Sequence, residues 1–198
     1  MSSLTFFCLT LEPSHKDLIK KFGYSPVGLG EKQFSNDFFS DSTGDNIANK
    51  NPFYGEYTFH YWIWKNYLQN IKTDWVGFCQ YRKFFVTDNQ TNNNIAYDHL
   101  SQIVLKNIPK SCESYESILG NPFFVNKYKL VKTLKNHLVP ILRSPQAIFD
   151  KKKRTIKLHF DMMHGTGNLD RAIDLLDAED KENFKNYVNQ NVSFHPHN

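Results

Sequence analysis

Apolar residues in this chain occur first as short unbroken runs and then at helical spacing, the pattern of strands alternating with helices. Leu4 to Leu11 is predicted as the first strand, followed by a loop and the short segment Lys16 to Phe22. From Gly23 to Asn49, Gly, Ser, Asn and Asp dominate, which predicts a long irregular connection. Asn51-Pro52 is a helix start, because an Asn side chain caps first-turn amides and proline has its φ preset for the first helical position. The helix is expected from Pro52 to about Leu68. Tyr54, Tyr57, Tyr61, Trp64 and Leu68 share one face, and Phe53, Ile63 and Tyr67 lie on another, so it should be packed on more than one side. After a turn over Asn70 to Asp74, Trp75-Val76-Gly77-Phe78-Cys79 reads as a strand buried on both faces, with Gly77 marking close backbone approach.

Further along, the Asn-rich tract Thr87 to Asn94 is expected as a surface loop before a helix over Tyr97 to Lys106. Tyr115 to Leu119 is predicted as a strand that ends in the turn Gly120-Asn121-Pro122. Phe123 to Leu142 carries a helical pattern interrupted at Pro140, and Pro145 closes that region. The last helix is expected from about Leu169 to Asn189, with Ile173, Leu176, Phe184 and Val188 on its apolar face. The sequence has no internal repeat and no convincing second domain. The expectation is a single α/β domain over residues 1–198, with a central, mostly parallel sheet flanked by helices.

The net charge of +4 is mild, and the basic residues do not form the long stripe that tracks nucleic acid, so no nucleic-acid partner is expected. The run Lys151-Lys152-Lys153-Arg154 is the exception. It reads either as a solvated loop or as a patch for anionic membrane lipid or a phosphorylated ligand. Cys8, Cys79 and Cys112 fit no zinc spacing, and the first two fall in predicted strands as small buried hydrophobes. A reducing, cytoplasmic setting is the expectation. The N-terminal apolar run lacks a basic leader and a small-residue cleavage site, and no stretch reaches membrane-spanning length.

Candidate chemistry gathers in four places. Asp41 and Asp45, with Ser42, Thr43 and Asn46, suit capping of a turn, a ribose hydroxyl or a metal. Glu56 and His60 lie four apart on one helix face and are close enough to pair, either as a satisfied buried pair or as a carboxylate and imidazole lining a pocket. Gln80, Tyr81, Arg82 and Lys83 emerge at the carboxyl end of a strand, where open α/β sheets bind ligands. Two cations and a phenol there suit a diphosphate, or form a rim paired to carboxylates. His159, Asp161 and His164 have a spacing that admits a metal.

Asp45-Asn46-Ile47, Lys50-Asn51-Pro52, Tyr54, Glu56, Thr58, Tyr61-Trp62, Trp64-Lys65-Asn66, Gly77, Tyr81-Arg82 and Phe84 together resemble the signature of a glycosyltransferase-like domain family long labelled as of unknown function. Its members occur among bacterial capsule, exopolysaccharide and O-antigen biosynthesis proteins. The chain departs from the pattern at Gln80 and Lys83, where the family usually has histidine and arginine, and at Tyr57, where leucine is usual. Leu158 to His164 and Leu169-Asp170 resemble the family's His-containing segment, but Gly165-Thr166-Gly167-Asn168 breaks up the acidic pair expected there. His195-Pro196-His197-Asn198 looks like the start of a further block, so the family's C-terminal strand and helix are expected to be missing.

The resemblance implies a GT-A-like fold and transfer of a hexosyl unit, of galactofuranosyl or related type, from a nucleotide-sugar donor to a glycan or lipid-linked glycan. Donor contacts are expected from Asp45, Asn46, Lys50, Tyr81, Arg82 and Lys83, and pocket contacts from Glu56, His60, Trp62 and His164. Asp161 or Asp170 is expected as general base. No Asp-any-Asp triplet follows the Trp75 strand, so Arg82 and Lys83 point toward metal-independent transfer, with Mn²⁺ or Mg²⁺ as the alternative. The other functional class is a non-catalytic glycan-binding or partner protein on the same scaffold, or a truncated remnant of it; peripheral membrane contact is a further partner expectation.

Overall fold

The computed structural model describes residues 2–30, 32–87, 95–127 and 138–193. Within the span read as one domain, the chain forms two compact units, Met1–Ile118 and Leu119–Asn198.

The first unit is built around β1 (Leu4–Thr10). Its apolar run has no polar face, so the strand must be covered on both sides. Phe6 and Cys8 pack with Ile19, Phe22, Tyr24 and Leu100, whereas Phe7 and Leu9 pack with Val27, Leu29, Phe59 and Trp62. The elements that supply this cover follow in order: α1 (Lys16–Lys21), β2 (Ser25–Gly28), β3 (Phe39–Ser40), α2 (Asn51–Tyr54), α3 (Tyr57–Trp62), β4 (Trp75–Gln80) and α4 (Tyr97–Ile103). The strands form one parallel sheet in the order β3-β2-β1-β4, with Cys8 opposite Cys79 and Phe6 opposite Gly77. This is the expected parallel sheet flanked by helices.

Several local expectations change. The connection over Gly23 to Asn49 contains β2 and β3, too short and too poor in β-branched residues to stand out; β2 is held by pairing to β1, and β3 by pairing to β2. The helix expected from Pro52 to Leu68 breaks at Gly55, whose φ of +53° favours glycine. Beyond α3 the chain continues as a π turn over Ile63–Tyr67 and a 3₁₀ turn over Leu68–Asn70. Asn51 does not cap its helix; its Nδ2 donates across the break to Gly55 O (3.0 Å) and Thr58 Oγ1 (3.1 Å). Nor is the Trp75 strand buried on both faces. It ends the sheet order, leaving Val76 37% exposed, and only Cys79 along it is buried. The helix at Tyr97 stops at Ile103, because Val104 and Leu105 turn away to meet Val86 and Phe85.

The second unit contains β5 (Phe123–Phe124), α5 (Leu138–Arg143), α6 (Gln146–Phe149), α7 (Ile156–His164), α8 (Asn168–Asp174), α9 (Ala178–Val188) and β6 (Val192–Ser193). β5 and β6 pair antiparallel, so Phe123 and Phe124 are strand rather than the start of a helix. Residues 128–137 of that expected helix lie outside the described residues, as do most of the Asn-rich tract and the stretch from His195 on. Pro140 falls in the first turn of α5, where its missing N–H costs little. The expected last helix is two, because Asp177 caps a fresh start by accepting from Asp180 N (3.0 Å). Tyr115 to Leu119 forms no strand; Tyr115 N closes a turn onto Cys112 O (3.0 Å).

Gly77 is where the sheet tolerates least change. A Cβ there would lie 2.7 Å from the Phe6 ring, itself stacked on Tyr24 at 4.5 Å. Gly77→Ala is expected to cost about 1–3 kcal/mol, seen as a lower denaturation midpoint with an unchanged slope.

Candidate functional site

Because the four strands run parallel, Thr10, Gly28, Ser40 and Gln80 end on one side of the sheet. Chemistry-bearing residues collect there. Thr10 Oγ1 accepts from Glu12 N (3.0 Å) and bonds His15 Nδ1 (2.7 Å), and the His15 ring stacks on Tyr81 at 4.2 Å. Tyr81 N donates to Leu9 O (3.1 Å), anchoring the segment after β4 to β1. Gln80 to Lys83 closes as a tight turn through Lys83 N to Gln80 O (3.0 Å). Arg82 is exposed on this turn, its guanidinium 5.9 Å from the Tyr81 ring.

The first turn of α3 supplies the other half of the cluster. Gln80 Nε2 donates to Glu56 Oε1 (3.3 Å). The His60 ring lies 4.3 Å from Phe78, and its Nε2 is buried without a hydrogen bond among the described residues. Glu56 and His60 therefore do not form the hydrogen-bonded pair expected from their spacing, because Glu56 turns to Gln80. Burial holds the His60 pKa below the ordinary 6.5, with the Glu56 charge opposing. Burial also lowers the Lys83 pKa, with Arg82 adding repulsion and Glu56 resisting. One carboxylate thus biases both bases.

A second network lies behind this one. Asp41, just past β3, is 3% exposed and accepts from the Thr58 hydroxyl, which in turn accepts from Asn51. In sequence, Asp41 belongs to a constellation suited to turns, riboses or metals. No spacing rule links it to Thr58, seventeen residues on.

The other donor candidates help to shape their own loop. Asp45 Oδ1 accepts from Tyr61 OH (3.1 Å), while Asn66 grips the Asp45 backbone, accepting from its N–H (3.0 Å) and donating to its carbonyl (2.7 Å). Asn46 donates to Ser42 O and Gly44 O and accepts from Ala48 N, the loop-capping use of such a residue. Lys50 is exposed at the end of the turn Ala48–Lys50. Trp62 is buried and donates its indole N–H to Thr43 (2.9 Å to the carbonyl). It fixes the loop rather than presenting a ring to a ligand.

In the second unit, Lys157 bridges Asp161 Oδ2 (3.5 Å) and Asp170 Oδ2 (2.5 Å), and Asp161 Oδ1 accepts from Gly167 N (3.3 Å). Both carboxylates line a cavity of about 490 Å³ that also receives Arg143, Lys153 and Thr166. His164 does not line it; the ring is exposed, 4.6 Å from Phe160. His159 is buried against Phe123. Offsets of two and five residues turn His159 away from both Asp161 and His164 on α7, so the three do not converge. The metal use admitted by their spacing does not fit, and no group of three or more His, Cys, Asp or Glu among the described residues is placed to hold a metal.

A family model described as a domain of unknown function, DUF4422, matches residues 11–198. The chain belongs to the DUF4422 family. Among solved structures, it is similar to the apo form of the bifunctional glycosyltransferase WbbM, with a TM-score of 0.52 at 17% identity. The match covers 98% of this chain and 33% of that one, so the chain spans about a third of the length of that protein. The likeness supports the GT-A-like fold. No curated protein matches. Every candidate residue from Asp41 to Asp170 falls inside the DUF4422 match.

Two outcomes test the site's wiring. Thr58→Val leaves buried Asp41 short of a donor and is expected to cost about 1–3 kcal/mol by chemical denaturation. Because the native state resists protonating His60, unfolding takes up a proton below the ordinary 6.5, and stability falls as pH drops through that value toward the lower native pKa. His60→Phe is expected to flatten part of that fall between about pH 7 and about pH 5, measured as the denaturation midpoint against pH.

Proposed function

We propose that this DUF4422 chain is a glycosyltransferase that moves a hexosyl unit from a nucleotide-sugar donor to a glycan or lipid-linked glycan acceptor. The observation that carries the reading is the meeting of the Gln80–Lys83 turn with Glu56 and His60 at the carboxyl edge of a parallel sheet. Such edges take nucleotides. The diphosphate leaving group carries concentrated negative charge, and Arg82, with its planar fork of donors, matches phosphate oxygens in pairs. Lys83 adds a second cation, and Tyr81, held flat by His15, shapes the floor beneath them. The loop carrying Asp45, Asn46 and Lys50 is assigned to the nucleoside and sugar, and Trp62 is assigned to holding that loop.

Asp161 and Asp170 are the carboxylates proposed for the acceptor. In an inverting transfer the acceptor oxygen attacks the anomeric carbon as a base takes its proton, and the bond to the diphosphate breaks. Both oxygens of Asp161 are engaged, whereas Asp170 is about half exposed and bonded on one side to Lys157. Asp170 is therefore the better base. The family resemblance extends the proposal to bacterial cell-surface polysaccharide and to work on the cytoplasmic side of the membrane.

Melting of the purified chain against nucleoside diphosphates and nucleotide sugars, with and without Mn²⁺ or Mg²⁺, tests this directly. A ligand present at about a hundred times its Kd stabilises by about 2.7 kcal/mol, and Arg82→Ala is expected to abolish the shift. Release of free nucleoside diphosphate with an acceptor should fall on Asp170→Asn while the shift persists. A folded chain that no nucleotide stabilises would favour the glycan-binding reading instead.

A further inference from the structure

Beside the cavity that holds Asp161 and Asp170, whose rim includes Lys153, the second unit carries exposed apolar and basic side chains to which the transferase reading assigns no role. In α5 and α6, Ile141 and Ala147 face inward, while Leu142, Ile148 and Phe149 are 76%, 43% and 90% exposed. Immediately after Phe149 come Asp150 and three exposed lysines, Lys151, Lys152 and Lys153, in a 3₁₀ turn. The two features are tied together. Arg154 donates from Nε to Ala147 O (2.9 Å) and from Nη2 to Ile148 O (3.1 Å), so it works as a clip and does not belong to the solvated run expected from the sequence. Asp150 caps the lysine turn through Lys152 N (2.8 Å), and Asn191 Nδ2 donates to Lys152 O and Arg154 O (3.0 and 2.9 Å). Ile148 and Phe149 are thus tied next to the lysine turn by bonds that leave both outside, and Leu142 is exposed near the end of α5.

We propose that this surface, from Leu142 to Lys153, docks on an anionic lipid bilayer, with Phe149 and Leu142 entering the interface and the lysines meeting headgroup phosphates. A soluble polyanion would use the lysines but leave three large apolar side chains in water. A purely apolar partner would bury the side chains beside unmatched ammonium groups. A bilayer that is anionic at its surface and apolar beneath satisfies both. The contact is interfacial, since no helix among the described residues is long and apolar enough to cross a membrane. The inference stands apart from the transferase reading and does not require it.

Co-sedimentation of the full chain with phosphatidylcholine vesicles, with and without a minor fraction of phosphatidylglycerol, provides the test. Binding is expected to the anionic vesicles and to weaken with salt. Replacing all three lysines by Gln should weaken partitioning about a hundredfold, and Phe149→Ser or Leu142→Ser roughly tenfold each. These positions are exposed, and melting of each variant confirms that it folds. No binding to anionic vesicles would overturn the proposal, as would equal binding to neutral ones. Binding that needs the lysines but ignores both apolar substitutions is plain electrostatic adsorption, and it too would overturn the anchor.

Discussion

The double burial of β1 is the constraint on which the first unit depends. Seven residues with no polar face must find cover on two sides, and the cover comes from segments scattered between Ile19 and Leu105. Phe7 alone meets Phe39, Phe59 and Phe78 at 5.3 to 5.9 Å, fastening β3, α3 and β4 to one ring. Each fully buried aromatic of this kind contributes about 1.5–3 kcal/mol. The opposite face fastens α1 and α4 in the same way. Once β1 is central, its parallel neighbours deliver their carboxyl ends to one edge.

That edge illustrates how packing creates chemistry. β4 lies close against β1 because Gly77 leaves room for the Phe6 ring, and the turn that follows is then held by Leu9 O. Gln80 reaches Glu56 only because α3 packs on the Phe7 side. The His60 ring, pressed on Phe78, loses water while its Nε2 gains no hydrogen bond among the described residues, and its depressed basicity follows from that burial. A buried nitrogen without a partner is costly, and such costs concentrate where ligands act. The second unit uses different means: Lys157 holds two carboxylates at a cavity, and Arg154 clips the lysine turn to α6 through the Ala147 and Ile148 carbonyls.

Much of the framework was legible from residues alone. The run Leu4 to Leu11 contains β1, Trp75 to Cys79 all but completes β4, and the phases of both strands put Cys8 and Cys79 in the interior. The emergence of Gln80 to Lys83 beyond a carboxyl strand end was likewise readable, since parallel α/β topology sends it there. What misled was local propensity acting without partners. Asn51-Pro52 reads as a capped long helix, yet Gly55 with positive φ breaks it and recruits the Asn51 amide across the gap. β2 and β3 carry almost no strand signal, because β2 is stabilised by hydrogen bonds to β1 and β3 by hydrogen bonds to β2.

The sequence by itself determined that the Leu4 run must be buried as a strand, that Gln80 to Lys83 follow a strand end and which residues carry charge, since these follow from side-chain chemistry and from the period of a strand. Only the tertiary structure decided which of those charges meet. Glu56 pairs with Gln80 rather than with His60, Asp41 takes the Thr58 hydroxyl, Trp62 serves a loop, and Arg154 leaves its lysine neighbours to bond carbonyls. Each choice depends on atoms distant in sequence competing for the same donor or acceptor at about 3 Å. Spacing along a chain fixes no such competition, because its outcome is set by packing around β1 and within the second unit.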